Sequence, residues 1–179
     1  MKATGIVRRI DDLGRVVIPK EIRRTMRIRE GDPLEIYTDT DGEVIFKKYS
    51  PIGEITGVVD RYAEVLYKST NLPVIITDRD MAIACAGLPR KEVLERRISS
   101  ELEAIMERRN GWSWSSDAAQ MRPVEGLERY GGTVYPIIGS GDVLGCVVLL
   151  MPEDGGAPNQ TEGKLVQVAA AFLGKQMEE

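Results

Sequence analysis

The first 49 residues have the pattern of a small mixed unit that is too short to bury a stable core alone. The predicted order is strand, strand, helix, strand and strand, over residues 5–10, 16–18, 20–26, 34–37 and 43–47. A segment of this size without disulfides or metal ions gains too little free energy from apolar burial to be stable by itself. We therefore expect it to associate with a second copy.

Two turns in this unit have a clear chemical basis. Asp11, Asp12, Leu13 and Gly14 connect the first two strands, and Gly14 can adopt a positive φ without steric cost. The pair Asp41–Gly42 is typical of a hairpin turn. Pro19 suits the start of the helix, where a missing N–H is harmless.

Positive charge is concentrated at this end of the chain. Residues 1–29 carry nine basic and three acidic side chains, a net charge of +6, whereas the whole chain carries −4. The other 150 residues therefore carry −10. Such a separation places positive potential at one site, and the guanidinium group matches phosphate oxygens in geometry. The basic excess of residues 1–29 therefore favours a partner that carries phosphate groups. The alternative is a basic surface that contacts only solvent.

Composition argues against several other classes of protein. The chain has no histidine, which excludes histidine-based catalysis, and two cysteines do not make a tetrahedral metal site within one chain. No enzyme activity, metal or cofactor is expected. No apolar run approaches the roughly 18 residues of a membrane span, and the N-terminus lacks an export signal. We expect a cytoplasmic protein with no membrane partner, in which Cys85 and Cys146 are free, buried thiols.

The N-terminal unit resembles the AbrB-type swapped-hairpin DNA-binding domain. Residues 11–24 read DDLGRVVIPKEIRR and residues 31–37 read GDPLEIY, and both stretches are typical of that family. The resemblance implies a homodimer whose two chains interleave hairpins into one β-barrel. It also implies double-stranded DNA as the partner. The positions that would contact DNA are Arg8, Arg15, Arg23 and Arg24, with Arg9 and Lys2 as helpers. Loops and short elements of this kind favour readout of DNA shape, so we expect a loose, A/T-rich consensus.

A short break at residues 50–53 leads into a predicted helix. Its apolar residues are spaced by three and four, in a heptad-like seam made of Ile52, Ile55, Val59, Tyr62 and Leu66. The seam favours self-association through this helix. The alternative is an amphipathic helix packed on its own domain.

The remaining segment resembles a GAF domain. After the first helix come two strands, two helices, two strands and a closing helix, predicted over 72–77, 81–86, 90–98, 100–109, 131–138, 143–151 and 160–177. The stretch from Val134 to Val147 is the most typical part. The closing helix has an apolar stripe made of Leu165, Val168, Ala169, Phe172 and Leu173. Such domains often bind a small molecule, and Trp112 and Trp114 could stack on one or could pack within the domain.

The chain is therefore predicted as an α+β protein with three parts. Residues 1–49 form an AbrB-type barrel shared by two chains, residues 50–55 are a short linker leading into a helix, and residues 56–179 form an α/β GAF-like domain. The combination resembles a family of sporulation regulators in endospore-forming bacteria. It implies a nucleoid-associated, sequence-tolerant activator and repressor that forms a homotetramer. The alternative is an antitoxin-type protein that neutralises a toxin and regulates its own operon. Such proteins end in a short disordered tail, whereas this chain has a patterned second domain.

Overall fold

The computed structural model describes residues 4–156 and 158–178. The chain divides into two compact units, residues 1–49 and 50–179. Within the described ranges, no helix is long and apolar enough to cross a membrane.

The N-terminal unit contains one helix and one hairpin. The helix α1 is Lys20–Met26, and the strands are β1, Leu34–Thr38, and β2, Val44–Lys48. Pro19 precedes the helix with φ −57° and ψ 146°. At the other end Arg27 adopts a left-handed conformation, and the N–H of Ile28 donates to the carbonyl of Arg23 at 2.8 Å. This pattern is a common helix stop.

The predicted hairpin is confirmed. Strands β1 and β2 pair antiparallel, with Ile36 opposite Phe46. Gly42 has φ +81°, as the predicted Asp41–Gly42 turn requires. Gly14, in the first turn, has φ +76°.

The two N-terminal strands predicted over residues 5–10 and 16–18 do not form within one chain. These segments flank a closed turn, in which the N–H of Asp11 donates to the carbonyl of Arg15 at 3.0 Å. No ladder extends from that turn in the described part of the chain. A strand needs an edge to pair with, and the hairpin β1–β2 pairs only with itself.

The same unit leaves most of its apolar side chains in solvent. Among residues 4–49, Pro19 is the only one that is buried. Twelve of the sixteen large apolar side chains that are exposed in the described chain belong to this unit, including Val7 at 84% and Val17 at 71% exposure. Neither of the apolar clusters that form the core contains a residue from it. The N-terminal unit therefore has no core of its own.

The second unit is built on one five-stranded sheet. Its helices and strands, in chain order, are α2 Pro51–Glu54, α3 Thr56–Thr70, β3 Val74–Asp78, β4 Ala82–Ala86, α4 Arg90–Val93, α5 Ser100–Glu107, β5 Trp112–Ser113, β6 Gly131–Gly139, β7 Asp142–Leu150 and α6 Gln160–Gln176. The strand order is β4-β3-β7-β6-β5, and neighbouring strands are antiparallel. The predicted element order is confirmed, with β5 as an addition.

Both faces of this sheet are covered, which explains why its central strands are nearly uniformly apolar. One cluster packs α3 and α6 on the sheet and includes Ile76, Leu149 and Leu173. The other packs α5 and the long connection before β6 on the opposite face and includes Leu102 and Val148. Side chains on both faces of β3 and β7 are therefore buried.

Three predictions for this unit need correction. Residues 50–55 do not form a simple linker, because α2 lies there and Ile52 is buried in the core of the second unit. The helix predicted over 90–98 ends at Val93. Glu95 adopts φ +63°, and its N–H donates to the carbonyl of Ala82, so the chain runs along β4 instead.

The third correction concerns the stripe on α6. Val166, Ala169, Ala170, Leu173 and Gly174 face the core, whereas Val168 and Phe172 from the predicted stripe are exposed. The helix is rotated so that small residues contact the sheet. It begins at a capping box, in which Asn159 and Glu162 each accept a hydrogen bond from the other's backbone N–H.

Two glycines in α6 provide a matched test of this packing. A methyl group at Gly174 would clash with the carbonyl oxygen of Ile138 in β6, whereas at Gly163 the nearest atom would be Thr133 Cγ2 at 3.9 Å. We expect Gly174→Ala to lower the free energy of unfolding by about 1–3 kcal/mol. Gly163→Ala should raise it by about 1 kcal/mol through helix propensity. Urea unfolding followed by tryptophan fluorescence measures both, and effects of the same sign would contradict this packing.

Candidate nucleic-acid interface

The structure places the predicted DNA-contacting arginines on three neighbouring segments of the N-terminal unit. Arg8 and Arg9 lie in the segment before the first turn, Arg15 closes that turn, and Arg23 and Arg24 lie in α1. All are exposed except Arg23, which is half-buried. Lys2, the remaining predicted contact, lies outside the described residues.

The turn that carries Arg15 is organised by the carboxylate of Asp11. Asp11 Oδ1 accepts from the N–H groups of Leu13 at 3.0 Å and Arg15 at 2.7 Å. Asp11 Oδ2 accepts from Arg15 Nε at 2.8 Å. The hydrogen bonds from the Arg15 backbone and then from its guanidinium hold the pKa of the Asp11 carboxyl below its usual range. Asp11 therefore stays ionised at neutral pH. Its carboxylate contacts both the backbone of the turn and the Nε atom of Arg15.

The sequence prediction did not single out Asp11 as a residue that contacts the Arg15 side chain. A carboxylate and an arginine four positions apart around Gly14 could have indicated it. That spacing usually marks an ion pair on a helix, and the glycine turn hides its meaning here.

Helix α1 is tied to the hairpin at its C-terminal end. Lys48 Nζ donates to the carbonyl of Arg27 at 2.9 Å and lies 3.8 Å from Asp32 Oδ2. The Asp32 side chain is 4% exposed, and its carboxylate also accepts from the N–H of Arg29 at 2.8 Å. This connection holds the helix that carries Arg23 and Arg24 against β2. Neither Asp32 nor Lys48 was predicted from sequence, because the contact joins residues far apart in the chain.

The seam predicted to join two chains faces the core instead. Ile52, Val59 and Leu66 are buried in the second unit itself, and Ile55 and Tyr62 are partly buried against the same cluster. The alternative, packing on its own domain, describes the observed position of these side chains. A different set of apolar side chains is exposed on α3 and α6. Val65 of α3 and Val168 and Phe172 of α6 are 58%, 52% and 41% exposed, and the Tyr62 and Phe172 rings stack with centroids 5.3 Å apart.

The cysteine and tryptophan side chains, which could support catalysis or ligand binding, are buried or make contacts within the second unit. Cys85 and Cys146 are free and buried, and burial raises the pKa of the Cys146 thiol to about 12. In the described residues, no cluster of three or more His, Cys, Asp or Glu could hold a metal ion. Trp112 packs against one core cluster, and Trp114 Nε1 donates to the carbonyl of Ala118 at 3.1 Å.

Comparison with known proteins gives two family matches. Residues 54–178 match the family described as "Stage V sporulation protein T C-terminal, transcription factor". Residues 7–54 match the family "Antidote-toxin recognition MazE, bacterial antitoxin". The first match covers well over half of the chain.

Individual relatives agree with this division. The chain is 51% identical to "Stage V sporulation protein T" of Bacillus subtilis (strain 168) over an alignment of 181 positions that covers all of both proteins. It is 59% identical to "Transition state regulatory protein AbrB" of the same organism over 61 residues, or 33% of this chain and 62% of that protein.

A solved structure supports the fold of the second unit. The second unit resembles the GAF domain of an Acinetobacter phosphoenolpyruvate-protein phosphotransferase, with a TM-score of 0.53 and 13% sequence identity. The match covers 71% of this chain and 87% of that chain. The predicted GAF-like fold is confirmed. With a full-length relative and a family match over residues 54–178, the chain belongs to the stage V sporulation protein T family of transcription factors.

Proposed function

We propose that the chain binds double-stranded DNA and regulates sporulation genes as both activator and repressor. Residues 1–49 would contact DNA, and residues 56–179, preceded by the segment 50–55, would assemble the protein. The observation that carries this proposal is the exposed set Arg8, Arg9, Arg15 and Arg24 on a unit with a net excess of positive charge. The 59% identity to "Transition state regulatory protein AbrB" over 61 residues supports the same proposal. The site of action would be the nucleoid, in the cytoplasm.

A dimer of the N-terminal unit is the first step of the proposed assembly. Ile36 and Val44 of the hairpin are 61% and 59% exposed, and Val7, Ile10 and Val17 of the unpaired segments are at least 70% exposed. Side chains of this kind are normally buried, and large exposed apolar areas mark contact surfaces. Residues 5–10 and 16–18 also have unpaired backbone that a second chain could complete into strands. Interleaved hairpins would satisfy both requirements.

The dimer would double the arginine set by two-fold symmetry. Eight guanidinium groups, from Arg8, Arg15, Arg23 and Arg24 of each chain, would then be available to one DNA duplex, with Arg9 and Lys2 adding charge. Most arginine contacts to DNA go to phosphate and fix register. Because α1 is only seven residues long, discrimination would depend strongly on DNA shape, which supports a loose, A/T-rich consensus.

The open face on α3 and α6 supports a second contact between copies. Val65, Val168 and Phe172 lie beside the stacked Tyr62 ring and form a continuous apolar area across two helices. A two-fold contact through this face would join two DNA-binding dimers into a tetramer. A small-molecule ligand of the second unit stays a prediction.

An antitoxin role is the competing function, and the match of residues 7–54 to the MazE family favours it. Against it stands the full-length relative, which shares the folded second unit. Affinity purification of the native protein would recover a toxin in equal amount if this alternative were correct.

DNA binding should show the salt dependence of a protein that neutralises phosphates. If five to eight phosphates are contacted, the slope of log K against log salt should be about −4.5 to −7. Arg24→Gln should make the slope less steep by about one to two, since each dimer loses two phosphate contacts. Arg108→Gln, an equal change of charge at an exposed position after α5, serves as the control and should leave the slope unchanged. Fluorescence anisotropy across a salt series measures this, and a slope near zero for the unaltered chain would refute DNA binding through phosphates.

The two proposed contacts between copies can be separated by charge insertion. Val44→Asp should break the N-terminal dimer, and Phe172→Glu should break the contact through α3 and α6, each leaving a dimer. The double variant should be a monomer, because burying an unpaired carboxylate is costly. Sedimentation velocity distinguishes tetramer, dimer and monomer. Thr40→Asp and Gln167→Glu serve as controls that should remain tetrameric. A tetramer that persists in Val44→Asp, or in both Phe172→Glu and Val168→Glu, would contradict the assignment of that contact.

A further inference from the structure

The ion pair between Asp11 and Arg15 is too open to solvent to explain why a negative charge stands in this turn. It lies in the most basic segment of the chain, in a turn that carries a proposed DNA contact. The side chains of Arg15 and Asp11 are 70% and 38% exposed. An ion pair this open to solvent contributes little to the stability of a fold. A negative charge there also works against phosphate binding.

The turn itself does not require that charge. The two backbone hydrogen bonds to Asp11 Oδ1 form an Asx-type turn, and an asparagine oxygen can also accept them. What the carboxylate adds is its second oxygen, which accepts from Arg15 Nε at 2.8 Å. The contact that asparagine could not keep alongside the turn is therefore the one to the arginine side chain.

The position of that hydrogen bond decides what Arg15 can do. Asp11 holds the guanidinium at Nε, the end nearest the backbone, and leaves the two terminal nitrogens for another partner. A guanidinium held at Nε still presents its two terminal nitrogens as a pair of parallel donors. Two such donors match a pair of acceptors on one base edge, as in contacts with guanine O6 and N7. A freely rotating arginine would instead reach the nearest phosphate, which carries no sequence information.

We propose that Asp11 is a positioning residue that directs Arg15 to a base edge and away from phosphate. It acts through Arg15, by restraining the Nε edge of the guanidinium. Asp11 thereby increases sequence discrimination at the expense of total affinity, an example of specificity gained by disfavouring the wrong partner. This inference rests on the proposed DNA-binding function.

The test compares Asp11→Asn with Asp12→Asn in the full-length chain. Both variants remove one negative charge from the same turn, but only the first removes the hydrogen bond to Arg15 Nε, and it keeps an oxygen for the turn. The probes are a duplex enriched from a random pool by the unaltered protein and an unrelated duplex of equal length. The ratio of the two affinities measures discrimination, and the salt slope reports phosphate contacts.

Asp11→Asn should lower the affinity ratio by about ten-fold, within the discrimination that one bidentate base contact supplies. It should bind the unrelated duplex at least as tightly as the unaltered protein. Its salt slope should steepen by about one to two as Arg15 turns to phosphate in each chain of a dimer. Asp12→Asn should leave the ratio unchanged. Arg15→Gln should lower the ratio, and the double variant D11N/R15Q should match R15Q, because Asp11 acts through Arg15.

Equal affinity ratios for Asp11→Asn and Asp12→Asn would overturn the proposal, as would additive effects in D11N/R15Q. An unaltered chain that fails to bind any duplex would instead refute the proposed DNA-binding function. Urea unfolding measures the stability of both asparagine variants and shows whether a change in affinity comes from a destabilised fold. If Asp11→Asn alone is destabilised while its affinity ratio is unchanged, Asp11 has only a structural role.

Discussion

The burial of apolar side chains in the N-terminal unit is the requirement on which the assembly depends. In one chain, Val7 and Val17 lie in solvent, and no residue of 4–49 except Pro19 is buried. A short segment cannot sustain this exposure, since apolar burial is the main favourable contribution to folding. The unit must therefore be completed by another surface, and a second copy supplies the same unpaired strands and the same apolar residues. On this account, folding and dimerisation of the N-terminal unit are one event.

The second unit satisfies the same requirement in the opposite way. Its sheet is covered on both faces, and β3 is buried along its whole length. Three of its four exposed large apolar side chains among the described residues lie on α3 and α6, including Phe172. A domain that is stable by itself can use such an area for a separate contact. In the proposed assembly, this area would supply the second two-fold contact, which joins two N-terminal dimers.

Local features of the fold could be predicted well from the sequence. Gly14 and Gly42 take the positive φ that their turns require, and the two strands predicted over 131–138 and 143–151 form as β6 and β7. These outcomes depend on residues that are neighbours in the chain. The resemblance of residues 11–24 to a DNA-binding family identified the basic unit for a similar reason, because the whole motif is contiguous.

The predictions that failed depend on contacts across the fold. Periodicity showed that α3 has an apolar stripe but not whether Val59 meets its own sheet or another chain, and the structure places it in the core. Glu95 ends the predicted helix because its backbone pairs with Ala82, which no local propensity indicates. The tether from Lys48 to Arg27 likewise joins distant residues. The segments 5–10 and 16–18 have strand composition, but their pairing needs an edge that the described single chain does not offer.

Amide hydrogen exchange in the full-length protein tests the central claim most directly. The backbone of residues 6–10 and 16–18 has no strand partner within the described chain, so an unassociated unit would exchange these amides within seconds. If a second copy completes the strands, the same amides should be protected by about three orders of magnitude or more, and dilution should reduce that protection while β3 and β7 stay protected. Fast exchange of residues 6–10 and 16–18 at concentrations where the protein is fully assembled would contradict the account.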